Sequence, residues 1–184
     1  VEANGAKIPS IGLGTWAIKG ADCTKAVASA LKSGYRHIDT AAMYGNEAEV
    51  GEGLKHGGVA RKDIWVTTKV WWENIGAGAL QGSAESSLKK LQLDQVDLLL
   101  IHWPNAQVPL KESIAALCDT KRRGMAKHIG ISNFTTPMIA EALKLTTEPI
   151  VCNQVEYHPR LDQTKVLAAC RAANMAMVSY CPIG

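Results

Sequence analysis

Short apolar runs alternate with longer amphipathic stretches along this chain. The runs at 12–15, 37–40, 64–69, 96–102, 128–132, 151–155 and 176–180 read as strands. Several of them, such as Val96-Asp-Leu-Leu-Leu-Ile101, lack the polar alternation of a half-exposed strand, as expected when both faces are covered. The intervening stretches at 21–33, 46–55, 77–91, 110–123, 136–144 and 162–173 repeat their apolar residues at helical spacing. Boundary signals agree. Ser33-Gly34, Arg123-Gly124 and Ala173-Asn174 put Gly or Asn where a left-handed C-cap is easily formed. Asn46 with Glu49 has the form of a capping box, Asp162 opens the last helix, and Pro137 suits a first turn.

Seven strands joined by six helices in strict alternation predict a right-handed series of βα units, an α/β fold of the TIM-barrel (β/α)8 type. A doubly wound open sheet is the competitor. It would carry a G-x-G-x-x-G turn after its first strand, whereas Gly12-Leu-Gly-Thr-Trp16 runs directly into Ala17. The expectation is therefore one barrel domain over residues 1–184 in which only the first seven strands are present, with helix 7, strand 8 and helix 8 lacking.

The composition narrows the class. The 184 residues are 47% hydrophobic and 20% charged, ordinary for a globular protein. Twenty Lys and Arg against 17 Asp and Glu give a net charge of +3 spread without a basic tract, which argues against nucleic acid as a partner. No apolar stretch is long enough to span a bilayer and no signal-peptide pattern opens the chain, so a cytoplasmic setting is expected. The five cysteines are odd in number and lack a C-x-x-C pair, unlike a disulfide framework or a zinc site.

The strand ends carry the chemistry. Asp39 ends the second strand, Tyr44 follows five residues on, Lys69 ends the third and His102 the fourth. In a barrel of this type such positions share the C-terminal mouth. Lys69 and Asp39 would keep each other ionised, and the ammonium would stabilise a phenolate, making Tyr44 a general acid. His102 could donate a hydrogen bond to a substrate carbonyl, while His37, inside a strand, suits packing or a supporting role. Asp39, His102, Glu156 and His158 offer no H-x-H or H-E-x-x-H pattern, so no metal is expected. Further ends supply Ser132, Asn133, Gln154 and Tyr180, groups able to hold a carboxamide and stack on a flat ring. Trp16, Trp71, Trp72 and Trp103 lie just beyond strands, where they would form an apolar rim for a small organic carbonyl compound, and Trp65 lies within one.

The segments GLGTW, HIDTAAMYGNEAEVG, TTKVWWEN, LLLIHWP, GISNF, NQVEYHP and SYCPIG resemble, in order, the strand-end segments of the aldo-keto reductase superfamily. TTKVWWEN together with the short loop after IHWP is most similar to the bacterial 2,5-diketo-gluconate reductase branch. The resemblance implies a catalytic set of Asp39, Tyr44, Lys69 and His102, with hydride transfer from a nicotinamide cofactor to a carbonyl carbon. It implies cofactor contacts at Gly14, Thr15, Asp39, Ser132, Asn133, Gln154, Tyr180, Cys181, Pro182, Ile183 and Gly184, and a substrate pocket of Trp16, Trp71 and Trp103. The cofactor would be NADPH, with NADH as the alternative, and the protein a monomer. Cys181 departs from the serine of many relatives. The seven residues between His102 and Leu110 favour an open site for small aldehydes, ketones or keto acids. Two other functions remain on this scaffold: a lyase using Lys69 as a Schiff-base amine, against which Asp39 argues, and a non-enzymatic nicotinamide-binding regulatory or structural module.

Overall fold

The computed structural model describes residues 1–183. A hairpin of β1 (Glu2–Ala3) and β2 (Ala6–Lys7) precedes β3 (Leu13–Gly14), α1 (Gly20–Lys32), β4 (His37–Asp39), α2 (Glu47–His56), β5 (Trp65–Val70) and α3 (Ala79–Leu91). Then follow β6 (Val96–Ile101), α4 (Leu110–Arg122), β7 (Ala126–Ser132), α5 (Thr136–Leu145), β8 (Ile150–Glu156), α6 (Thr164–Ala172) and β9 (Ala176–Tyr180). Strands β3 to β9 form one parallel sheet in sequence order. That order excludes the doubly wound sheet, whose strand order reverses at a switch point.

The sheet is curled into a barrel wall. Asp39 on β4 accepts a 2.7 Å hydrogen bond from Gln154 Nε2 on β8, four strands away. In a flat sheet, four steps of about 4.8 Å would put those strands about 19 Å apart. The period of two divides the side chains between the inner and outer faces of this wall. Leu98 and Leu100 point inward, where they pack with Cys152, Ala176 and Val178, while Leu99 and Ile101 join the layer between sheet and helices. All six residues of β6 are consequently buried.

The β1–β2 hairpin was not predicted. It inserts Ala3 and Ala6, with Ile8 just beyond it, against the inward cluster, turning through Asn4 (φ 43°) and Gly5 (φ 84°), the left-handed pair that a two-residue hairpin loop requires. Element ends otherwise shift by one or two residues from expectation. The capping box expected at Asn46 does not form: its side chain makes no cap and turns instead into a buried network. The left-handed stops at Gly34, Gly124 and Asn174 are present, with φ of 99°, 76° and 53°. Among the described residues no helix is long and apolar enough to cross a membrane.

Candidate active site

The inward face of the wall sets the site. On β4 the inward positions are His37 and Asp39, on β5 Thr67 and Lys69, and the next inward position after Leu98 and Leu100 is His102. Lys69 lies within β5 rather than at its very end and is 1% exposed. Its ammonium uses all three protons, toward Asp39 Oδ1, the Thr40 carbonyl at 2.9 Å and Tyr44 Oη at 3.4 Å. Burial alone would depress its pKa. The Asp39 carboxylate and Tyr44 outweigh that effect and raise it, so the group stays charged.

Tyr44 closes a 3-10 turn, Ala42–Tyr44, that follows β4. Its oxygen accepts from Lys69, while its own proton meets no acceptor among the described residues. Burial raises the phenol pKa and the opposing pull of Lys69 is smaller, so the net direction is upward. The ammonium does favour the phenolate, but in the unliganded protein desolvation of that phenolate dominates. The phenol therefore keeps its proton.

His102 packs edge-on to Tyr44, with centroids 5.7 Å apart, and edge-on to Trp71 at 5.2 Å. Burial and the nearby Lys69 charge lower its pKa to about 4, so the ring is neutral near pH 7. Its Nδ1 is buried without a partner among the described residues. His37 lies elsewhere, bonded to Thr67 Oγ1 at 2.9 Å and edge-on to Trp65.

A polar arc runs from this cluster across the mouth. Tyr180 Oη donates to Asn133 Oδ1 (2.9 Å), Asn133 Nδ2 donates to the His102 carbonyl (2.9 Å) and to Ser132 Oγ (3.1 Å), and Ser132 Oγ donates to the Gln154 carbonyl (2.8 Å). Gln154 Nε2 closes the arc on Asp39 Oδ2. Asn133 sits at φ 63°, a left-handed conformation that Asn tolerates. Within the arc the Gln154 side chain retains one N–H and its Oε1, the complement of a primary carboxamide. The residues thus fit a nicotinamide amide. Thr15 is buried, and its amide and hydroxyl both reach the Asp39 carbonyl beside Gly14.

The remaining positions gather less tightly. Trp71 touches His102 and also Trp72, whereas Trp16 and Trp103 stand 64% and 43% exposed. Trp65 stacks on His128, away from the cluster. Cys181, Pro182 and Ile183 are exposed, Cys181 in a left-handed conformation, and Gly184 lies outside the described residues. Sequence reasoning missed Asn46 and Glu47. Asn46 Oδ1 accepts from Thr40 Oγ1, and its Nδ2 donates to the Thr15 and Ile18 carbonyls, tying the Tyr44 turn to the β3 loop. Their helix-start pattern had offered a sufficient local explanation for both. Among the described residues no group of three His, Cys, Asp or Glu is placed to hold a metal ion.

The aldo/keto reductase family model matches residues 10–184. The chain belongs to that family. It is 43% identical over 176 residues to the methylglyoxal reductase DkgB of Escherichia coli O157:H7, covering 94% of this chain and 66% of that protein. Among solved structures it superposes on a putative 2,5-diketo-D-gluconic acid reductase B with TM-score 0.95 and 50% identity, covering 97% of this chain and 64% of that one. A Bombyx mori aldo-keto reductase in complex with NADP matches with TM-score 0.92 and 35% identity, over 100% and 66% of the two chains. The chain thus spans just under two thirds of these relatives' lengths.

Proposed function

We propose that the protein is an NADPH-dependent reductase of small aldehydes, ketones and keto acids. The observation that carries this reading is the Tyr44 phenol, protonated, 3.4 Å from a fully buried Lys69 whose charge Asp39 maintains. When bound, the nicotinamide supplies the hydride for the carbonyl carbon. Tyr44 gives its proton to the carbonyl oxygen, and the phenolate left behind gains most from Lys69, because that interaction strengthens as charge develops. Neutral His102 donates a hydrogen bond that orients the carbonyl. Ser132, Asn133 and Gln154 would hold the carboxamide, and Tyr180 would lie against the ring, with Gly14 and Thr15 beside the reacting end. Trp16, Trp71 and Trp103 would line the substrate side, their exposure suiting small and varied substrates.

The printed activities of the relatives, methylglyoxal and glyoxal reduction, are of this class and guide the choice of substrates. The NADP-bound relative guides the choice of cofactor. With this reading go a monomeric state and a cytoplasmic setting, the latter in keeping with five unpaired cysteines. The test is reduced-cofactor consumption with an aldehyde and keto-acid panel, using NADPH and NADH in parallel, on the protein and on Tyr44→Phe. Tyr44→Phe should lose about 10²- to 10⁴-fold in turnover while binding cofactor normally. Near-parent turnover in that variant would remove Tyr44 from the chemistry.

A further inference from the structure

Among the described residues, Glu47 is the one buried carboxyl near the site that the proposed reaction does not use. It is the first residue of α2, three positions after Tyr44, and is 1% exposed. Its Oε1 accepts a 2.6 Å hydrogen bond from Thr68 Oγ1. Thr68 precedes Lys69 on β5, so by the alternation of the strand its side chain faces the helix layer while Lys69 faces the barrel. The bond therefore joins the segment that carries Tyr44 to the strand that carries Lys69, from behind the wall. Asn46 performs the equivalent task on the other flank, toward Thr15, Ile18 and Thr40, but makes no side-chain bond to β5.

For the fold alone this carboxyl is a poor choice. Its Oε2 and the facing Ser87 Oγ of α3 are both buried and make no well-formed hydrogen bond among the described residues, although Ser87 is close enough to help hold the carboxyl's pKa down. Burial raises the Glu47 pKa, against the opposing influence of Thr68, Ser87, Lys90 of α3 and Lys69. An apolar side chain of the same size would avoid the desolvation, at the cost of leaving the buried Thr68 hydroxyl without its acceptor.

Resting on the reductase reading, we propose that Glu47 is a positioning residue: through the Thr68 hydroxyl it fixes the separation between the Tyr44 oxygen and the Lys69 ammonium. Nothing in this role needs the carboxyl charge, only an acceptor at Oε1, so Gln is expected to serve.

The test compares Glu47→Leu, Glu47→Gln, Thr68→Val and the Glu47→Leu/Thr68→Val double variant. Glu47→Leu should lower kcat about tenfold or more, with aldehyde KM and cofactor affinity nearly unchanged. Thr68→Val should lower kcat similarly, and the double variant should lose no more than either single one, because both remove the same bond. Glu47→Gln should restore kcat. An unaltered kcat in Glu47→Leu, additive losses in the double variant, or a Glu47→Gln as impaired as Glu47→Leu would each overturn the proposal. The ¹³C NMR titration of the Tyr44 ring reads the same separation without turnover. Released from Lys69, Tyr44 should titrate at higher pH in Glu47→Leu than in the parent or Glu47→Gln. Identical titrations would sink the positioning role even in a protein that reduces no carbonyl, whereas an inactive parent with the expected titration shift would sink only the reductase reading.

Discussion

Replacing His102 by Gln isolates the free energy stored in a buried neutral imidazole. In the native protein the ring is 7% exposed, and burial together with Lys69 lowers its pKa from 6.5 to about 4. In the unfolded chain the ring returns to about 6.5, so between these two values the unfolded state binds a proton that the native state refuses. Stability is therefore fully present above the unfolded value and is lost as pH falls toward the native one. At about 1.4 kcal/mol per pH unit the loss is at most about 3 kcal/mol, and screening at the strand end brings the expected figure nearer 2 kcal/mol. His37 and His128 are also lowered by burial, but they persist in the variant and cancel. Urea denaturation of parent and His102→Gln at about pH 7 and about pH 4 measures the difference directly. The parent should lose about 2 kcal/mol more than the variant between the two conditions. Equal losses, or an imidazole NMR titration of His102 centred at its ordinary value, would refute a buried neutral ring and with it the single-donor role proposed for it.

Lys69→Met leaves Asp39 charged with only Gln154 to answer it, and breaking such a buried pair costs about 3 kcal/mol. A domain of this size should then melt roughly 6–12 °C lower. An unchanged midpoint would contradict the pairing. Because the native Lys69 pKa is raised, the pair's stabilisation is complete below the ordinary lysine value and fades only as pH climbs through the native one, so the parent should lose more stability in strong alkali than Lys69→Met. Gly51→Ala, which in an open helix would be neutral or favourable, should cost about 1–3 kcal/mol, since its new carbon would lie 2.6 Å from the Leu91 carbonyl oxygen on α3. A more stable variant in denaturant unfolding would show that α2 and α3 can separate freely.

The barrel was legible because its strands are short, apolar and evenly spaced, and because the inward period of two automatically sends Asp39, Lys69 and His102 to one mouth. The hairpin at Glu2–Lys7 was not, since two-residue strands have no period to read; only the Asn4-Gly5 pair marked it. The direction of the Tyr44 pKa was also beyond the sequence, which names the ammonium beside the phenol but not the desolvation that outweighs it. Asn46 and Glu47 show a related limit. A helix-start pattern accounted for them locally, while their side chains answer to Thr15, Thr40 and Thr68, partners distant in the chain.

The edge-on contact of Trp71 with His102 gives the molecule an optical gauge of its own. An excited indole passes an electron to an imidazolium far more readily than to a neutral imidazole, so Trp71 emission should dim when the ring beside it takes up a proton. Trp65, stacked on His128 at 5.5 Å, forms a second such couple. Because Trp65 also meets His37 edge-on, emission followed through acid should dim in more than one step, and a Trp65→Phe background would leave the step belonging to the mouth.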